Sequence, residues 1–234
     1  MAIDVVPTVL YSGMMGVVVS ALFRAINKPK HKQKIYLSGL LVLLLIHILG
    51  ELYIYSGAYQ YAPGLAGFQL PIRMLLGPAL YFYAYEAMSP DNKFPLRRYL
   101  LASLGPIVVI AAMIPFIFSM SPEQKLALAD PATRDPALWQ IAIVTCLFSA
   151  IAFILFTFSY LIAALRLHSQ HRRNLMDRYS AIEQRSMDWF RIVLILWGLA
   201  WLLYAANYAS TFLGIKLFNA SSMLPLFEFL VLVS

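Results

Sequence analysis

The sequence has little charge and almost no cysteine. Charged residues make up 12% of its 234 residues, only 11 of them are acidic, and Cys146 is the single cysteine. One cysteine excludes an intrachain disulfide. By contrast, 61% of the residues are hydrophobic and the mean hydropathy is +0.73. So few charges cannot cover a soluble domain of this size, and we therefore expect a protein whose solvent is lipid.

The apolar residues fall into blocks of about 20, the length at which a helix crosses about 30 Å of hydrocarbon. Runs such as residues 40–49 do not alternate between apolar and polar side chains, which excludes the strands of a membrane barrel. The first block has no basic stretch before it and no small-residue cleavage site after it, so we interpret it as a retained helix. The sequence predicts an all-α, polytopic membrane protein, a seven-transmembrane-helix bundle. The predicted helices are at about residues 5–26, 35–56, 68–88, 99–120, 138–167, 190–212 and 221–234.

The basic residues are distributed unevenly between the two ends of these helices. Of the 18 Lys and Arg residues, fourteen lie near the segments between helices one and two, three and four, and five and six, and only Lys125, Arg134 and Lys216 lie on the opposite side. The positive-inside rule then predicts an N-terminus outside and a C-terminus in the cytoplasm. We expect multi-pass insertion in a membrane.

The predicted seventh helix is too short to cross a membrane. Residues 221–234 would span only about 20 Å. A chain that ended inside hydrocarbon would leave a carboxylate and unpaired carbonyls in lipid, which is costly. We therefore expect the natural chain to continue beyond residue 234 into a cytoplasmic output domain, the alternative being that only a short tail follows.

Six polar residues interrupt the predicted helices. Charged side chains within a membrane span normally face the bundle interior or a water-filled cavity. We estimate that four of the six lie roughly 7 to 10 Å below the outer surface and that one histidine lies about 13 Å deep. The six residues are His47, Glu51, Arg73, Tyr204, Asn207 and Glu228. They form either a binding site for a small amphipathic or lipophilic ligand or a structural polar cluster in which Arg73 pairs with Glu51 or Glu228.

The two acids and one base of this cluster do not balance. We expect Glu51, Arg73 and Glu228 to form one electrostatic unit with an excess negative charge. Either one acid is protonated, or His47 or a cationic group of a ligand completes the set. We predict no cofactor and no metal, because His47 is the only histidine within a span and a membrane haem usually needs two. His168 and His171 are assigned to a solvated basic loop.

The longest inner connection, residues 166–191, contains apolar residues at roughly helical spacing among charges. This pattern suggests an amphipathic extension of helix six at the membrane face. Its motif YSAIEQRSMDWFR, together with LLGPALYFYAYE in helix three, resembles the seven-helix N-terminal membrane region of bacterial membrane-bound regulators that end in an AraC-type helix-turn-helix domain. Related regions precede histidine kinase and diguanylate cyclase domains. The matching residues are Leu76, Gly77, Pro78, Leu80, Tyr81, Tyr83, Tyr179, Ser180, Glu183, Trp189 and Arg191.

The resemblance implies a sensory input module that passes a signal down helix seven to a cytoplasmic effector. It implies a homodimer in a bacterial inner membrane, and contact with DNA only through the absent output domain. A small transporter or channel subunit and a dimerising membrane anchor are the alternatives. No catalytic constellation is recognisable, since there is no HExxH motif and no pair of Asp residues within spans. We therefore do not expect an enzyme.

Overall fold

The computed structural model describes residues 3–27, 32–89, 96–130, 132–177, 187–213 and 220–233. Within these ranges every regular element is a helix. Two short 3-10 turns, Ala58–Gln60 and Pro63–Leu65, follow the second helix. The α-helices are α1 (Val5–Asn27), α2 (Lys32–Tyr55), α3 (Gln69–Arg73), α4 (Leu76–Met88), α5 (Leu96–Ile117), α6 (Pro122–Leu128), α7 (Pro136–Met176), α8 (Asp188–Leu213) and α9 (Ala220–Val233).

Four of the described helices are long and apolar enough to cross a membrane: α1, α2 from Gln33 onwards, α5 and α7. A shorter apolar helix covers Met223–Leu232 within α9. The helices also carry large apolar side chains on their outer surfaces, among them Phe23, Ile107 and Leu155, each more than half exposed. A surface of this kind is stable against lipid rather than water. The prediction of an all-helical membrane protein is confirmed at this level.

The predicted third helix, residues 68–88, is two helices. Helix α3 ends at Arg73 and α4 begins at Leu76, with a turn between them. The cause is Pro78, which has no N–H to donate to the carbonyl of Met74 and is tolerated in the first turn of a new helix. The interruption places Arg73 at the end of a short helix instead of in the middle of a long one.

Helix α7 is longer than predicted. It continues from Pro136 to Met176, 41 residues and about 62 Å, beyond the predicted boundary at residue 167. Residues 166–176, which we had assigned to an extension of helix six, therefore belong to the preceding helix. His168 and His171 lie on this helix and not in a loop, and His168 is only 2% exposed. Residues 178–186, with Tyr179, Ser180 and Glu183 of the resemblance, lie outside the described residues.

The helices pack so that α4 lies between α2 and α7, while α5 and α8 contact other sides of α7. Helix α9 lies between α1 and α8. Gly77 permits the close approach of α4 to α7, because a Cβ there would lie 3.2 Å from the Cα of Thr157. Met74, Leu76, Val109, Met113 and Phe153 form the buried core beside this contact.

Two neighbouring helix ends are stabilised by buried or stacked cations. The Nζ atom of Lys125 donates to the carbonyl of Ile117 at 2.9 Å, where α5 ends, and Arg134 Nε donates to the carbonyl of Leu128 at 2.7 Å, where α6 ends. These carbonyls have no partner within their own helices, and a cation there also favours the helix dipole. The sequence predicts of these two residues only that they lie on the outer side. This end of the bundle, which contains Ile117, Lys125, Leu128 and Arg134, is called the Lys125 end.

Candidate functional site

Arg73 is the centre of one half of the polar cluster. Its side chain is buried at 3% exposure. The Nη2 atom donates to Glu51 Oε1, and Nη1 donates to the hydroxyl of Tyr204. Because α3 ends at Arg73, the guanidinium lies between α2 and α8 and contacts both helices. Glu51 and Arg73 therefore neutralise each other, as a buried ion pair in an apolar bundle must.

Glu228 is the centre of the other half. Its Oε2 atom accepts a hydrogen bond of 2.8 Å from the hydroxyl of Tyr11 and lies 3.9 Å from Nε2 of His47. Tyr11 in turn stacks on Tyr55, with ring centroids 5.7 Å apart. This half joins α1, α2 and α9. Helix α9 is thus held to the bundle by a polar contact at its only acidic residue.

Trp201 on α8 lies between the two halves. Its ring centroid is 5.6 Å from that of His47 and 6.2 Å from that of Tyr204, and it packs edge-on against Phe153 at 4.7 Å. The indole is buried at 4% exposure. Trp201 therefore contacts one residue of each half.

That space is a cavity of about 300 Å³ bounded by α1, α2, α8 and α9. Of the fourteen described residues that line it, nine are aliphatic or methionine, and His47 and Glu228 are the two ionisable ones. Three of the four tryptophans of the chain, Trp189, Trp197 and Trp201, contribute to the wall. An apolar cavity of this size with a few convergent polar groups is the usual form of a small-molecule site.

Five of the six predicted site residues have described side chains, and the structure brings them together in these two contiguous halves. The side chain of Asn207 lies outside the described residues. Sequence reasoning missed Tyr11, Trp197 and Trp201. The signal for Tyr11 is weak: it is the single tyrosine of helix one, but Thr8 and Ser12 beside it also carry hydroxyls. No sequence signal identified the tryptophans, because a tryptophan in a membrane helix is ordinarily read as an anchor or a packing residue.

A second buried polar group lies at the Lys125 end. Lys125 is 2% exposed, and its ammonium donates to the carbonyls of Ile117 and Gly64. The Tyr59 hydroxyl donates to the backbone carbonyl of Lys125 at 2.5 Å. Burial lowers the pKa of the Lys125 ammonium and raises the pKa of Tyr59 to about 12. These contacts tie the loop after α2 to α6 and stabilise that end of the bundle.

His168 and Asp188 connect α7 to the start of α8. Nε2 of His168 lies 3.6 Å from Oδ1 of Asp188. His171 is on the same helix, one turn further along. Among the described residues no group of three or more His, Cys, Asp or Glu side chains is arranged to hold a metal ion.

Comparison with known proteins provides no further assignment. No family model, no curated protein and no solved structure matches the chain.

Proposed function

We propose that the chain is the transmembrane sensory input domain of a bacterial signalling protein. In this proposal a small amphipathic or lipophilic ligand occupies the cavity between α1, α2, α8 and α9. Its binding is relayed along α9 to a cytoplasmic output domain, which by the resemblance stated above is a DNA-binding helix-turn-helix domain. The protein lies in the inner membrane as a homodimer of seven-helix bundles and contacts DNA only through that output domain.

The observation that carries the proposal is the position of Glu228. This residue supplies one of the two ionisable groups of the cavity and also belongs to α9, the proposed relay helix. A ligand that contacts Glu228 changes the interactions that hold α9 against Tyr11 and His47. A ligand can shift a helix only by such a difference in contacts between two positions of that helix.

The proposed topology has seven crossings with the N-terminus outside. It is supported by the distribution of basic residues and by the four helices that are long and apolar enough to span. Helices α3 and α4 together, α8, and α9 supply the remaining crossings. The Lys125 end is then extracytoplasmic, and the far end of α7 with Arg172 and Arg173 is cytoplasmic.

Ligand binding can be measured by intrinsic fluorescence, because three of the four tryptophans line the cavity. Titration of the protein in lipid nanodiscs with decanol should give a saturable change in tryptophan emission. Ala200→Phe should abolish the change by filling the cavity from α8. Leu199→Phe is the matched control, since Leu199 is exposed on the outer surface beside it. Equal responses in both variants would place decanol in the surrounding lipid and contradict the proposal.

Relay along α9 can be measured by the distance between spin labels on two helices. Labels at Leu49 of α2 and Leu230 of α9, both exposed, avoid the cavity in a Cys146→Ala background. Saturation with decanol should change the distance distribution in the labelled protein that keeps Ala200. It should not change the distribution in the same protein with Ala200→Phe. An unchanged distribution at saturation would show that the cavity binds without moving α9.

A further inference from the structure

We infer that the ligand of this cavity is an amphipathic cation: an ammonium group beside Glu228, followed by an apolar chain along α2 and α8. The inference rests on the proposed function, since it names the chemical class of ligand for the same cavity. Its physical basis is an acidic side chain in an apolar cavity, for which the described residues supply no contacting group that can be cationic other than His47.

The ionisable groups of the cavity wall are Glu228 and His47. Arg73 does not line the cavity, and its guanidinium is already engaged by Glu51 and Tyr204. Among the described residues, Glu228 contacts the neutral hydroxyl of Tyr11 and the imidazole of His47, while Arg73 acts on it only through space. Whether a cation in contact with the carboxylate neutralises it therefore depends on whether His47 is an imidazolium.

The two ring nitrogens of His47 differ in their surroundings. An imidazolium donates from both nitrogens and needs an acceptor for each. Nε2 faces Glu228 at 3.9 Å, but Nδ1 is buried and has no hydrogen-bond partner within the described part of the chain. A proton on Nδ1 would be a buried donor without an acceptor, which is costly. The hydroxyl of Tyr11 donates to Glu228 and so favours the ionised carboxylate, and without an imidazolium beside it the cavity then holds one negative charge in an apolar surrounding.

The rest of the wall suits a cation with an apolar tail. Trp197 and Trp201 present indole rings, and the face of an indole attracts an ammonium group more strongly than the other aromatic side chains do. Beyond them the wall is aliphatic, with Leu40, Leu41 and Leu44 on α2. From His47 to Leu40 the helix rises about 10 Å, which is room for a chain of medium length.

The test compares three probes that share a decyl chain and differ in the head: decyltrimethylammonium, decanol and decanoate. Each is titrated into the wild-type protein in nanodiscs of zwitterionic phosphatidylcholine, so that the lipid surface favours neither charge. Tryptophan emission is corrected by the response of Ala200→Phe. We expect decyltrimethylammonium to bind at least about tenfold more tightly than decanol, equivalent to about 1.4 kcal/mol, and decanoate to bind most weakly.

The variant Glu228→Gln keeps the size of the side chain and removes its charge. In this variant the affinity for decyltrimethylammonium should fall to that for decanol, while the affinity for decanol stays unchanged. Glu123→Gln, at an exposed acid on α6, is the control and should keep the wild-type preference. If Glu228→Gln fails to fold, the wild-type series still decides between the probes.

The outcomes separate the two proposals. Equal binding of decanol and the cation, or tightest binding of decanoate, would overturn the cationic ligand and leave the cavity as a site for lipophilic molecules. No saturable response to any probe would mean that the cavity takes no such ligand, or only bilayer lipid, and would contradict the proposed function itself.

Discussion

Replacement of Arg73 by Leu should destabilise the bundle more than replacement of Arg73 and Glu51 together. The single change removes the guanidinium from Glu51 and Tyr204 and leaves the Glu51 carboxylate buried at 4% exposure without its cation. Removing one partner of a buried ion pair costs about 3 to 5 kcal/mol. The double variant Arg73→Leu with Glu51→Leu leaves no buried charge without a partner. Replacing a buried ion pair by apolar residues often changes the free energy of unfolding little. We therefore expect the double variant to recover about 2 kcal/mol or more of the loss.

The assay is equilibrium unfolding of the purified variants in mixed micelles with increasing dodecyl sulfate, followed by far-ultraviolet circular dichroism. Free energies of unfolding for the wild type, both single variants and the double variant complete a double-mutant cycle. Arg191→Leu is the control for loss of an arginine, since Arg191 is exposed on α8, and should change stability little. Additive losses across the cycle would mean that the two side chains do not interact in the folded protein and would refute the reasoning.

Four further predictions concern topology, assembly, the Lys125 end and helix packing. In Cys146→Ala, an impermeant thiol reagent added outside intact cells should label a cysteine at position Thr133 and not one at Ser169; the reverse pattern would invert the proposed topology. Mass measurement in mild detergent should find a dimer, and a strictly monomeric particle at every protein concentration would contradict the proposed assembly. Tyr59→Phe should cost about 1 kcal/mol in the free energy of unfolding. Because the Tyr59 pKa is raised from 10.0 to about 12, this contribution should be complete below pH 10 and disappear as the pH rises through 12, so a wild-type advantage that grows with pH would be contradictory. Gly77→Val should cost about 1 to 3 kcal/mol by forcing α4 away from α7, and a variant with wild-type thermal stability would show that the two helices are not in close contact.

The existence of the helices could be predicted because lipid imposes a simple rule on a sequence. Backbone groups in hydrocarbon must be paired within the segment, so each apolar block of sufficient length becomes a helix. The prediction fixed α1, α2, α5 and α8 to within a few residues. It failed at α3 and α4 because hydropathy is uniform over residues 68–88 and does not show that Pro78 interrupts the hydrogen bonds of the preceding turn. It failed at the end of α7 because the predicted boundary at residue 167 marks the end of the apolar block, and a helix can continue into a polar segment beyond that point.

The pairing of Arg73 with Glu51 was one of two pairings that the sequence left open. A charged residue in an apolar helix must find a partner, which limits Arg73 to the acids within reach, but hydropathy does not say which helices are neighbours. Only the packing of α3 against α2 selects Glu51, and the packing of α9 against α1 gives Glu228 to Tyr11 instead.

The sequence by itself determined that the chain is helical, that it belongs in a membrane, and which residues carry charge into the apolar region, because composition and block length decide these properties locally. The tertiary structure alone decided that Glu228 and His47 face a common cavity and that three tryptophans form its wall. Those relations depend on the lateral order and rotation of α1, α2, α8 and α9, which arise from packing between residues up to 217 positions apart in the chain.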